Sequence, residues 1–297
     1  MFESLSTLLD LFTRPDFQAG AVTGAIGLGV LYVVSRSEPD TRWWGIVLTL
    51  ATLVAINTAV GRSVGVATGL VALGAGGWML DPGSDRRFKP LGWLMVTAGA
   101  TLVGWLGGLS DIGWLPWVTP LAILIAGACF SAWSTSLPHN VLGPMLAITA
   151  FGIWVTVPET EHARAFLGAS LLLAPATLRP IHAKLSTAGS FALAGMLAWV
   201  VAIGGDARPG SIIGGWAALG LIAIVPWLRT NATDLVERKP VVVVGFHALF
   251  VLLATRVIGL WESAVVATVA VLLISIVAFV VVGQYAGGSR QPTEPGV

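Results

Sequence analysis

The chain has 297 residues, of which 56% are of hydrophobic types and only 10% are charged, with 16 basic against 15 acidic side chains. A soluble domain carries roughly 25% charged residues, so this composition excludes an ordinary soluble fold. The formal net charge of +1 gives no electrostatic basis for binding nucleic acid, and Cys129, the only cysteine, excludes an intramolecular disulfide and a cysteine-based zinc site.

The few charges fall between long apolar runs, the pattern that hydrocarbon imposes by excluding ionised groups. Apolarity within a run is continuous rather than alternating, which points to helices and not to a barrel. The expected fold class is therefore an all-α integral membrane protein with about eleven transmembrane helices, short loops and an N-terminal interfacial helix. An excess of Arg over Lys, with abundant Ala, Gly and Val, points to a bacterial source.

Residues 1–16, MFESLSTLLDLFTRPD, place Phe2, Leu5, Leu9 and Phe12 at helical spacing among polar neighbours, the mark of an amphipathic helix lying in the membrane interface. Arg14-Pro15 is expected to end it. The stretch lacks the positive start and cleavage site of a secretory signal.

A single polytopic domain over 17–284 follows. A helix needs about 20 residues to cross a hydrocarbon core, and eleven segments qualify: 17–35, 43–60, 63–80, 90–107, 114–133, 140–157, 163–179, 185–204, 210–228, 240–256 and 262–284. Punctuations such as RSEPDTR (36–42), DPGSDRRFK (81–89) and RTNATDLVERK (229–239) are too short to hold a domain, so consecutive helices are expected to be antiparallel neighbours. The end, 285–297, is Gly, Pro and polar, and is expected to be a disordered cytoplasmic tail.

Lys and Arg gather in cytoplasmic loops. With eleven crossings, Arg36, Arg42, Arg86, Arg87, Lys89, Arg179, Lys184, Arg229, Arg238, Lys239 and Arg290 share one side, against Arg14, Arg62, Arg164, Arg208 and Arg256 on the other. This sets the N-terminus outside and the C-terminus in the cytoplasm of the inner membrane. If the short segment 163–179, which contains Pro175, did not cross, the bias would vanish. Most tryptophans sit at or near predicted span ends, where an amphipathic indole prefers to lie, while Trp199 and Trp216 are deeper.

Gly61, Gly65 and Gly69 form GxxxGxxxG, a face bare of side chains that another backbone can approach. Helix packing within the chain is the plainer reading, and a homodimer seam or the face toward a membrane-protein partner is the sharper one. Pro120, Pro175 and Pro226 are expected to interrupt helices and free carbonyls.

The densest cluster of reactive side chains is TVPETEHARAFLGA (155–168). Glu159, Glu161, His162 and Arg164 invite an acid/base or metal reading. Helix chemistry accounts for them more simply. Pro158 ends one span, Thr160 caps the next, and Glu161 complements the positive helix start three residues from Arg164. The expectation is a solvated turn on the outer face.

The histidines do not converge. His139 and His182 are expected on the cytoplasmic side and His162 outside, whereas His247 lies about eight residues, ~12 Å, from either end of its span. A titratable group at that depth faces the protein interior or an aqueous cavity, which makes His247 the first candidate for a proton relay or substrate contact. The competing account is a structural imidazole bonded to a hydroxyl or carbonyl of a neighbouring helix, with Gly245 letting that helix come close. Asn57 inside a span, and Arg256 with Glu262 at the last outer turn, are weaker candidates.

There is no GxxxxGK[ST], HExxH or GxSxG motif and no clustered Asp signature, so no catalytic residue, metal or cofactor is expected. The leading functional expectation is a small permease or flippase for a neutral or amphipathic compound, surrounded by membrane lipid. A non-catalytic subunit packed against a partner complex comes second and an intramembrane enzyme third.

Overall fold

A computed structural model describes residues 4–38, 41–59, 64–107, 113, 115–136, 139–156, 160–204 and 240–253. Within them the chain is all helical: α1 (Ser4–Thr13), α2 (Pro15–Ser37), α3 (Trp44–Ala59), α4 (Val64–Leu80), α5 (Lys89–Leu106), α6 (Leu115–Ser136), α7 (His139–Thr156), α8 (Glu161–Leu173), α9 (Thr187–Gly204) and α10 (Pro240–Leu253). Short 3-10 turns span Arg86–Phe88 and Ala174–Thr177. The candidate spans 210–228 and 262–284 lie outside the described residues. By length and composition α2 is the one described helix long and apolar enough to cross a membrane, and the other apolar helices are shorter.

Local chemistry explains the boundaries. Arg14 is the N-cap of α2, in extended backbone, and Pro15 fills the first helical position, where its missing N–H costs nothing. Pro15 and Asp16 thus belong to α2 and not to the amphipathic segment. In that segment Leu9 and Phe12 are exposed, while Leu11 is buried.

Bare backbone decides which helices meet. Along α2 a Cβ at Gly20 would collide with the carbonyl of Ala165, one at Gly24 would lie 2.9 Å from the Ala169 oxygen, and one at Gly27 would lie 3.3 Å from the Leu173 side chain. Rising residue numbers on both helices mean that α2 and α8 run parallel, 20 against 165 and 27 against 173. The GxxxG pair Gly20 and Gly24 therefore forms the main contact of α2 with a helix far along the chain, although α2 also meets its successor α3.

The second glycine face behaves similarly. Gly65 meets Leu106, Gly69 meets Gly99 and Val103, and Gly76 meets Gly92, so α5 covers this side of α4. Gly65 and Gly69 are spent within the chain; Gly61 lies outside the described residues.

At the centre stands α9, buried without interruption from Thr187 to Ala202 and packed against α3, α4, α5, α6 and α8. Consecutive helices do pair, α4 with α5 most of all, but α2–α8, α6–α9 and α4–α9 are long-range neighbours. The expectation that order in sequence sets adjacency is corrected accordingly.

The segment 163–179 reaches from one end of the bundle to the other in two pieces. Thirteen residues of α8 rise about 20 Å, and the 3-10 turn adds about 8 Å. Pro175 ends the α-helix, and the indole Nε1 of buried Trp44 donates to the Leu173 carbonyl at 2.9 Å, tying α3 to the junction between α8 and the 3-10 turn. Beyond the turn, Lys184 N donates to Thr41 O at 2.7 Å and Trp43 bridges Leu185. Pro120 differs from the expectation: α6 continues through it, with Gly104 of α5 set against the Pro116 carbonyl that Pro120 cannot bond. Pro144 sits inside α7 in the same manner. Pro226 lies outside the described residues.

The bundle consequently has two ends. One gathers the start of α2, the end of α3 and the start of α8; the other gathers Arg36, Arg42, Arg86, Arg87, Lys89, Arg179 and Lys184, with Arg42 3.9 Å from Asp81. Exposed indoles lie toward both, Trp105 and Trp117 at the first and Trp43, Trp78 and Trp93 at the second.

Candidate functional site

His247 lies on α10 against α7, 4% exposed. Its Nε2 is 3.1 Å from the Met145 carbonyl and 3.0 Å from Thr149 Oγ1. A carbonyl only accepts, so the hydrogen-bond network assigns the proton to Nε2. The Thr149 hydroxyl donates back to Met145 O at 3.0 Å, leaving an Oγ1 lone pair toward the imidazole. One N–H is thereby shared between two acceptors. This is the interhelical hydrogen bond named as the structural account of His247, but Gly245 plays no part in it, being exposed with nothing near its missing side chain.

Among the other polar residues of the spans, Thr97 and Thr101 are exposed and bond back to their own helix, at Trp93 O and Thr97 O. Asn57 is exposed near the end of α3. Arg256 and Glu262 lie outside the described residues.

The larger polar site lies where α2, α3 and α8 meet. Arg164 turns away from the surface and its Nε donates to Asp16 Oδ2 at 2.5 Å; the side chains are 12% and 4% exposed. The parallel packing of α2 on α8 creates this pair, because Gly20 and Gly168 bring the two helix starts to the same level. The reading of 155–168 as wholly solvated is therefore corrected. Thr160 does stand at the N-cap of α8, without a capping bond from its side chain, and Glu161 is exposed in the first turn. Arg164 instead forms a buried ion pair, and His162 packs edge-on against Trp199, ring centroids 5.1 Å apart.

Beside the pair opens a cavity of about 390 Å³, lined by Arg14, Pro15, Asp16, Ala19, Thr58, Ala59, Glu161 and Arg164. Asp16 Oδ1 is buried and accepts no hydrogen bond from any described residue. The cavity wall thus holds two guanidinium groups and two carboxylates beside two parallel helix N-termini, whose partial positive charge favours the carboxylates of Asp16 and Glu161. The sequence reading passed over Asp16 by leaving it in the amphipathic segment. Two signals were available: Pro15 at a helix start with Asp16 next to it, and Gly20-x-x-x-Gly24 one turn later.

No group of three or more His, Cys, Asp or Glu arranged to hold a metal occurs among the described residues. Compared with known proteins, the chain matches no family model, no curated protein and no solved structure.

Proposed function

We propose that the chain is a polytopic protein of the inner membrane that carries a small neutral or amphipathic compound across the bilayer, as a permease or flippase. In this reading it crosses about eleven times, with its N-terminus outside and C-terminus in the cytoplasm.

One observation carries the proposal: large apolar side chains are turned outward while two ionisable groups are turned in. Large apolar side chains stand on the outer surface, Ile26 at 63% and Val33 at 68% exposed, with Val22, Val71, Leu94, Leu121 and Ile125 alike. Asp16 and His247 are buried inside. Water would penalise the first arrangement, whereas lipid favours it and drives charged groups inward in pairs. Helices of 16 to 18 residues rise about 24–27 Å, close to the hydrocarbon thickness. A buried ion pair beside a cavity gives such a protein a place to receive a solute.

Two measurements test this. The protein should stay with the membrane pellet after alkaline carbonate washing, and release into the supernatant would end the proposal. Native mass spectrometry of protein extracted gently from its own membrane should find a retained small molecule. A stoichiometric protein partner with no small molecule would favour the subunit reading instead.

A further inference from the structure

We propose that the cavity at the starts of α2 and α8 binds a neutral zwitterion, a primary ammonium joined by a short linker to a singly charged acid group, as in a phosphoethanolamine diester or an amino acid. This names a substrate class for the carrier reading and rests on that reading for transport, though binding itself does not.

The argument begins with what the cavity leaves unmatched. Arg164 occupies Asp16 Oδ2, and Oδ1 of the same buried carboxylate has no donor among the described residues. A buried acceptor without a partner is costly and uncommon, and a cavity of about 390 Å³ with Asp16 in its wall has room for a ligand that supplies the donor. Glu161, at the mouth, adds a second carboxylate to the wall. A ligand group that serves both carries N–H bonds and positive charge.

The opposite charge follows from Arg14. Its ion-pair contact is with Asp10, 4.0 Å away on the exposed face of the first turn back, a pairing too solvated to hold the guanidinium firmly. Arg14 also lines the cavity, where an acid group of the ligand can take it. Among the described residues the charged groups of the wall, Arg14, Asp16, Glu161 and Arg164, sum to zero, so a neutral zwitterion matches them without adding net charge. Thr58 adds a hydroxyl to the wall.

Ammonium and acid can come from a soluble solute or from a lipid headgroup, and one experiment separates them. Full-length protein in phosphatidylcholine nanodiscs is titrated calorimetrically with glycerophosphoethanolamine, glycine and glycerophosphocholine. Glycerophosphocholine is the control, because its quaternary nitrogen has no N–H for Asp16 Oδ1. Glycerophosphoethanolamine or glycine should bind at least about tenfold more tightly than glycerophosphocholine. Glu161→Gln and Arg14→Gln, both exposed and outside the buried pair, should each weaken binding about fivefold or more with unchanged thermal stability.

In nanodiscs containing phosphatidylethanolamine, loss of the titration heat identifies the lipid headgroup as the occupant, and its persistence identifies a soluble zwitterion. Either result upholds the site. No binding of any probe up to about 10 mM, equal binding of glycerophosphocholine, or wild-type binding by both variants would overturn it. If binding is found but proteoliposomes do not move the bound compound, the carrier reading fails and the site remains.

Discussion

Cutting the Asp16–Arg164 pair on one side is the sharpest test of how α2 and α8 are held together. At 2.5 Å and an effective dielectric of 20, the gross attraction is about 7 kcal/mol. Desolvation of two buried ions offsets most of that, so the pair adds little net stability. Removing one partner is different, because the survivor keeps its desolvation cost and loses its compensation, a penalty of about 3–5 kcal/mol. Arg164→Met should therefore destabilise strongly. At about 2 °C per kcal/mol, melting in detergent should fall by about 6–10 °C. The double variant Asp16→Ala/Arg164→Met removes both charges and should recover more than half of the loss. Fluorescence-detected thermal unfolding of the wild type, the two single variants and the double variant gives the coupling directly. A drop below about 2 °C for Arg164→Met, or a double variant no more stable than the singles, would refute the claim that this carboxylate is buried and held by Arg164.

Three further outcomes are expected from the same assay. Thr149→Val removes the hydroxyl shared by His247 and Met145 O and should cost about 0.5–1.5 kcal/mol, with a similar coupling to His247→Ala in a double-mutant cycle; coupling under about 0.3 kcal/mol would mean that the α7–α10 contact is not made. Gly24→Leu must push α2 off α8 and should cost about 3 kcal/mol, whereas Gly29→Leu, on the open face of the same helix, should change stability by less than about 0.5 kcal/mol; equal effects would contradict the α2–α8 packing. Trp44→Phe takes away the indole donor that ties α3 to the Leu173 carbonyl where α8 passes into its 3-10 turn, and a loss of about 0.5–1.5 kcal/mol is expected; an unchanged melting temperature would show that this tie adds nothing to stability.

Helix identity and extent were legible in the one-dimensional pattern. The expected spans 43–60, 63–80 and 185–204 correspond to Trp44–Ala59, Val64–Leu80 and Thr187–Gly204. Such agreement has a local cause: apolar length, proline at first turns and clustered charge act on the backbone within a few residues. The site was less legible. His247 stood out because a lone imidazole in a long apolar run is conspicuous by itself. Its partners did not, since Thr149 and Met145 are ordinary residues of another helix, 98 and 102 positions away.

For the described residues, the sequence by itself determined which segments are helical, that Arg36, Arg42, Arg86, Arg87, Lys89, Arg179 and Lys184 share an end, and that His247 would be buried. Only the tertiary structure decided neighbours: that α2 lies parallel to α8, that α9 fills the centre, and that Asp16 meets Arg164 across 148 positions. The physical reason is that nearly every helix here is apolar all round, so hydrophobicity gives each one no preferred face. Partners are chosen instead by close fit, glycine against backbone and one charge against another. Such complementarity belongs to pairs of surfaces and becomes visible only when both are in place.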